Sequence, residues 1–331
     1  MGSVMLAKRT ISLLIAGFPV YITLLVYLFP SASPSILSTA LLRSRTLALK
    51  GFTRIRPFST ALDNNNNMSQ ITILPRPSQE RGNADHGWLK TFHTFSFAMY
   101  QDFNNEKYGS LRVINEDRVA PKTGFGTHSH KEFEIFSYVV EGELEHKDSM
   151  GNIEILKRGD VQLTSAGTGI SHSEKAFGDK PVHFLQIWSL PSLSRLTPKY
   201  FTRHFSDIEK KDHWVRVVAS VDAEGVQKDL REGSKQGEGP APVQSPLTMY
   251  ATLLSPGKSL SQAMKGPKGY IHVVMRSGYN EGPAQGASVK VAGQTLKEGD
   301  GGYLQIPSAG ELTVENNGDR VAELVLFDLE E

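Results

Sequence analysis

The sequence predicts an all-β protein: two tandem barrels behind an amino-terminal extension that belongs to neither. Three observations carry this. Residues 111–188 and 248–329 each break into short apolar runs divided by turn residues, and helical periodicity is largely absent. One phrase occurs twice: Leu156-Lys157-Arg158-Gly159-Asp160 returns as Leu296-Lys297-Glu298-Gly299-Asp300. Each copy is followed by an apolar run and a turn of small residues, Ser165-Ala166-Gly167 and Ser308-Ala309-Gly310. A phrase repeated with matching punctuation indicates a duplicated unit.

Composition fits a globular body, with 39% hydrophobic and 21% charged residues, and 331 residues suit two domains. The chain has no cysteine, which excludes disulfides, iron–sulfur clusters and thiol catalysis. The formal charge of +1 hides an asymmetry. Residues 1–67 carry seven basic residues and one acid, Asp63, leaving 29 basic against 34 acidic residues in the body. A mildly acidic body lacks the electrostatic footprint of a nucleic-acid-binding protein, so no direct nucleic-acid contact is expected.

The elements follow in order. Within 1–67, residues 11–29 are a 19-residue uncharged apolar run behind Lys8-Arg9, long enough to contact or span a membrane, though Pro19 interrupts it. Residues 35–62, with arginine and serine and no acid, have the pattern of a mitochondrial transit peptide, and Asn64 to Asn67 form a polar linker. A start at Met68 and a secreted protein are the alternatives. The chain is then expected to divide into a domain at 68–190 and another at 191–331, joined by the segment 191–198. Residues 225–246, poor in apolar side chains, are expected to be a surface loop.

The chemistry concentrates in the first half. His128-Ser129-His130 is answered by His172-Ser173-Glu174 after a glycine-rich turn. Side chains at i and i+2 of a strand leave the same face, so each triplet sends two ligand groups to one side of a sheet. Two such strands brought together place three imidazoles and a carboxylate around one point. That set suits a first-row transition metal, iron foremost, with positions open to substrate. A closed structural zinc site is disfavoured because such sites lean on cysteine. His146, His183, His204, His213 and His272 show no such pairing and read as structural or solvent-facing. The second half has Leu312-Thr313-Val314-Glu315 where the first has its second triplet, and no HxH, so no metal is expected there. Phosphate-loop, dinucleotide, HExxH and GxSxG motifs are absent from the sequence.

Several stretches together resemble the pirins, a branch of the cupin superfamily. They are Asp85-His86-Gly87-Trp88-Leu89, Thr91 to Phe97, Thr127-His128-Ser129-His130, Glu141 to Ser149 and Ser165 to Glu174. The resemblance spans about residues 72–331 and implies two tandem cupin barrels (double-stranded β-helix, or jelly-roll). It implies one Fe(II) in the amino-terminal barrel, held by His128, His130, His172 and Glu174. In the wider cupin pattern a ligating glutamate follows HxH, and Glu134 holds that place; pirins use the later one. Several pirins resemble quercetin 2,3-dioxygenases, which implies a flavonol-like aromatic substrate, O2 as co-substrate and Glu174 as proton acceptor. Phe125, Phe133 and Phe136 are expected in the core or lining a pocket. Other pirins resemble transcriptional co-regulators, which implies a non-enzymatic alternative: a redox-sensing iron protein with a transcription-factor partner. The family's nuclear or cytoplasmic location competes here with mitochondrial import or membrane anchoring by residues 1–67.

Overall fold

The computed structural model describes residues 70–228 and 236–330, together with the backbone of two short paired strands, β1 (Leu13–Ile15) and β2 (Phe18–Val20). The expected targeting or membrane segment otherwise lies outside the described residues. Among the described residues no helix is long and apolar enough to cross a membrane. Residues 66–331 form one compact unit.

Two β-barrels make up that unit, each a seven-stranded sheet facing a four-stranded one. In the first, β7 (Gly124–His130), β9 (Glu143–Asp148), β10 (Ile153–Lys157) and β12 (Ile170–Ala176) form the smaller sheet in the order β10-β9-β12-β7. The larger sheet includes β5 (Leu89–His93), β6 (Leu111–Val119), β8 (Glu134–Glu141), β11 (Asp160–Ser165) and β13 (Val182–Ser189). The second barrel repeats this arrangement, with β21 (Gln294–Glu298), β22 (Gly301–Gln305) and β23 (Gly310–Asn316) standing for β10, β11 and β12. The repeated phrase builds the same turn in both. Gly159 and Gly299 each take φ +89°, and the following aspartates, Asp160 and Asp300, each accept from the backbone N–H of the lysine three residues earlier. Glycine reaches that left-handed conformation at little cost.

Two strands cross the division expected at residue 190. β3 (Thr72–Arg76), at the start of the body, pairs with β22 in the second barrel. β14 (Lys199–His204), beyond the linker, returns to pair with β11 in the first. The expected surface loop at 225–246 also needs correction at its end. Ala241–Val243 forms β16, a buried strand pairing in parallel with β15 (Val215–Ser220) and lying against β11 and β14. Pro242 is tolerated there because β16 is an edge strand and needs no donor on its outer side.

The larger sheets pack face to face. β8 is buried along almost its whole length, which explains the nearly unbroken apolar run Ile135-Phe136-Ser137-Tyr138-Val139-Val140. Phe136 and Tyr138 face the second barrel, where they join Leu185, Ile187, Met249 and Phe327 in a shared core. Each such side chain contributes roughly 1.5–3 kcal/mol by burial. Ile135 and Val139 point the other way, into their own barrel. The second barrel is filled with aliphatic groups, among them Ile271, Val289, Leu312 and Val314.

Candidate metal centre

The first barrel is filled differently. Below its apolar end, the interior carries Ser137, Gln162, Thr164, Gln186 and Glu174, all buried. Its open end carries histidines. β7 and β12 are antiparallel neighbours, and their register sets His172 opposite His128. The two rings lie 4.5 Å apart with Nε2 atoms separated by 3.1 Å. His130 completes the group, its ring 4.7 Å from that of His128 and 4.9 Å from that of His172. The alternation predicted for HxH therefore brings three imidazoles together.

A bulge sets the geometry. Between His172 and Glu174 the register slips, so Glu174 faces Phe125 rather than Gly126, and across the slip β7 uses one residue more than β12. An inserted residue re-aims the side chains around it. Here it lets Phe125 pack with the interior cluster while His128 and His130 still reach His172. Gly124 makes the close approach of the strands possible, since a Cβ there would lie 2.3 Å from the Glu174 carbonyl oxygen and the Lys175 Cα.

Glu174 is buried, receiving Gln186 Nε2–H at 2.8 Å on Oε2 and the Ser137 hydroxyl at 3.2 Å on Oε1. Its carboxylate groups within 4.8 Å of nitrogens of His172 and His146, so His172 belongs to both this set and the three-histidine set. Glu134 lies in neither set. Its oxygens are taken by the Ser165 hydroxyl at 2.6 Å and the Gln244 backbone N–H at 3.1 Å. The strand parity that would have aimed it beside His130 is lost at Glu132, which turns the chain with φ +62° into the opposite sheet.

The electrostatics favour a cation. Burial, reinforced by His172 and His128, pushes His130 down to about 4. Burial, reinforced by His146 and His128, pushes His172 down to about 3. Both rings are neutral at physiological pH, the state in which imidazole binds metal. The Gly126 carbonyl lies 2.7 Å from His128 Nδ1; accepting that proton fixes the tautomer that leaves Nε2 free. Three converging imidazoles beside a buried carboxylate are a donor set that fits a divalent transition ion.

Aromatic rings surround the cluster. Trp188 stands edge-on to His130 at 4.8 Å and contacts Phe133 at 5.2 Å and Phe97 at 5.5 Å. Phe125 packs against Trp88 at 5.3 Å, whereas Phe136 lies in the core between the barrels. An open groove of about 580 Å³, lined by Trp88, Phe125, Thr127, Ser173 and Lys175 and by none of the cluster histidines, runs beside β7. Sequence reasoning missed Trp188, Gln186 and His146. The first two share the i, i+2 alternation of a strand, but nothing local marks which face looks at the histidines. His183 and His272 proved structural, both within hydrogen-bond distance of Glu116 between the barrels.

Comparisons with known proteins agree. Residues 75–189 match the Pirin family model. The chain is 37% identical over 259 residues, 78% of its length, to a protein of Escherichia coli (strain K12) named quercetin 2,3-dioxygenase, covering 98% of that relative. The crystal structure of YhhW from Escherichia coli superimposes with a TM-score of 0.65 at 34% identity, over 78% of this chain and 97% of that one. A second structure, of bacterial pirin YhhW in complex with nickel(II), matches with the same score at 33% identity over 78% and 99% of the two chains. Alike in sequence along nearly the full length of these relatives, and alike in fold, this chain belongs to the pirin family of metal-binding cupin proteins.

Proposed function

We propose that the protein is an Fe(II)-dependent ring-cleaving oxygenase of the quercetin 2,3-dioxygenase type, its ion held by His128, His130, His172 and Glu174. The observation that carries this reading is the open cluster of three imidazoles walled by aromatic rings, in a chain 37% identical to a protein named for that reaction. When bound, the ion supplies Lewis acidity toward a flavonol hydroxyl and redox access to O2.

The chain's own groups do the rest. His128 and His130 lie toward solvent and His172 and Glu174 are buried, so substrate approaches from the open side. Trp188, Phe133 and Phe97 offer faces to a flat aromatic ligand and exclude water from the reacting end. Glu174 takes the flavonol hydroxyl proton on Oε1. That oxygen can be vacated, because the Ser137 hydroxyl has alternative acceptors in Gln186 Oε1 at 3.0 Å and Gln162 Oε1 at 3.4 Å. Gln186 keeps its bond to Oε2 and holds the carboxylate in place meanwhile.

The test is O2 uptake and carbon monoxide release by the full chain, loaded anaerobically with Fe(II) and given quercetin. Saturable uptake, lost by at least about 100-fold in His172→Ala, is expected. Stoichiometric iron without any uptake contradicts the proposed activity.

A further inference from the structure

Two buried nitrogens beside the histidine cluster have no hydrogen-bond partner among the described residues: Nδ1 of His172 and Nδ1 of His146. Their rings lie 5.3 Å apart, edge to face. His146 is wholly buried on β9, stacked on Tyr200 at 4.8 Å, with Nε2 3.4 Å from Asp148 Oδ2. Asp148 is itself fixed. Its Oδ1 accepts from the backbone of Met150 and Asn152, and its Oδ2 accepts from Asn152 Nδ2 at 2.8 Å.

These contacts assign the protons. A carboxylate only accepts, so a neutral His146 facing Asp148 carries its proton on Nε2 and presents a bare Nδ1. His172 turns Nε2 toward His128 at 3.1 Å, so as a neutral ligand it carries its proton on Nδ1. A donor and an acceptor, both buried, both without a partner and borne by adjacent rings, then complement each other. One ring nitrogen of each lies within 4.8 Å of the other and of a Glu174 oxygen, and the ring centroids stand 5.3 Å apart, close enough for a single water to bridge the two rings.

We propose that His146, oriented by Asp148, is the positioning residue for His172: it takes the His172 Nδ1 proton in a hydrogen bond through one bridging water. The chain Asp148–His146–His172 then fixes the ring and tautomer of the most buried histidine of the centre and raises its basicity toward the ion. This inference rests on the metal-site reading but not on the dioxygenase activity.

The experiment uses the full chain and Ni(II) as probe, with affinity read by chelator competition and ligand field by the Ni(II) absorption spectrum. His146→Phe keeps a stacked ring and removes the acceptor. It should bind Ni(II) about 10–100-fold more weakly, with a shifted spectrum. His146→Gln restores an acceptor oxygen and should recover much of the loss. Asp148→Asn keeps an acceptor for its turn and should weaken binding in the same direction as His146→Phe, though less. Wild-type affinity and spectrum in His146→Phe would overturn the proposal, as would equal losses in the Phe and Gln variants. If the Phe variant fails to fold, Asp148→Asn decides: wild-type affinity and spectrum in that variant overturn it. Failure of the wild-type chain to bind Ni(II) would overturn the metal centre and this inference together, whereas binding unaffected by any variant overturns the inference alone.

Discussion

Asp117 shows how the environment of one side chain becomes a property of the protein. It sits on β6, buried, paired across the ladder with Thr91, and its Oδ1 has no hydrogen-bond partner among the described residues. Burial pushes its pKa up from 3.8 to about 7, and Glu174 and Glu116 add to the rise. The folded chain thus holds this proton where the unfolded chain releases it. The stabilisation is complete below about pH 4 and is lost as pH climbs toward 7. Asp117→Asn should remove that loss, so the metal-free variant should gain on the wild type in urea midpoint between pH 5 and pH 8. Equal pH slopes for the two proteins would contradict this placement. Legibility at this scale was uneven. His128 and His130 were readable because one strand carries both. His146 and Asp148 have the same i, i+2 spacing, yet their meaning arises only where β9 meets β12, a neighbour distant in sequence.

At the scale of the element, the β7–β12 pair decides whether the ligands meet. The local periodicity of strands was legible, and so was the side of the sheet each triplet faces. The bulge was not, since a register slip belongs to two strands at once. Two glycines on β7 test its role. Gly124→Ala would drive a methyl into the backbone of β12, forcing the strands apart; Gly126→Ala meets nothing within 4 Å. The first should weaken Ni(II) binding by about tenfold or more while the second leaves it unchanged, as chelator competition will show. Equal affinities would mean that strand separation does not position the ligands. β16 shows the opposite kind of failure. Ala241-Pro242-Val243 lies in a stretch whose glycine and proline content hides a strand that only tertiary packing buries.

The whole molecule is two copies of one architecture with different interiors. Duplication was legible because the Gly-Asp turn needs particular residues and kept them in both copies. The exchange of β3 and β14 across the division was not, because edge pairing leaves little mark on a short strand. Between the barrels lies Glu116. Burial pushes its carboxyl up, but His183 and His272 outweigh this and hold it well below the usual carboxylate range. It also accepts the Met275 backbone N–H at 2.6 Å and approaches Arg81 at 3.5 Å. Glu116→Ala strands these partners in the interior and should cost about 3–5 kcal/mol in urea unfolding, with both barrels affected. The measurement that bears most directly on the account is an anaerobic Fe(II) titration of the full chain with native mass spectrometry. The account predicts one ion per chain, absent from His128→Ala and His172→Ala variants that still fold. Two ions per chain, or one ion retained by both variants, would contradict it.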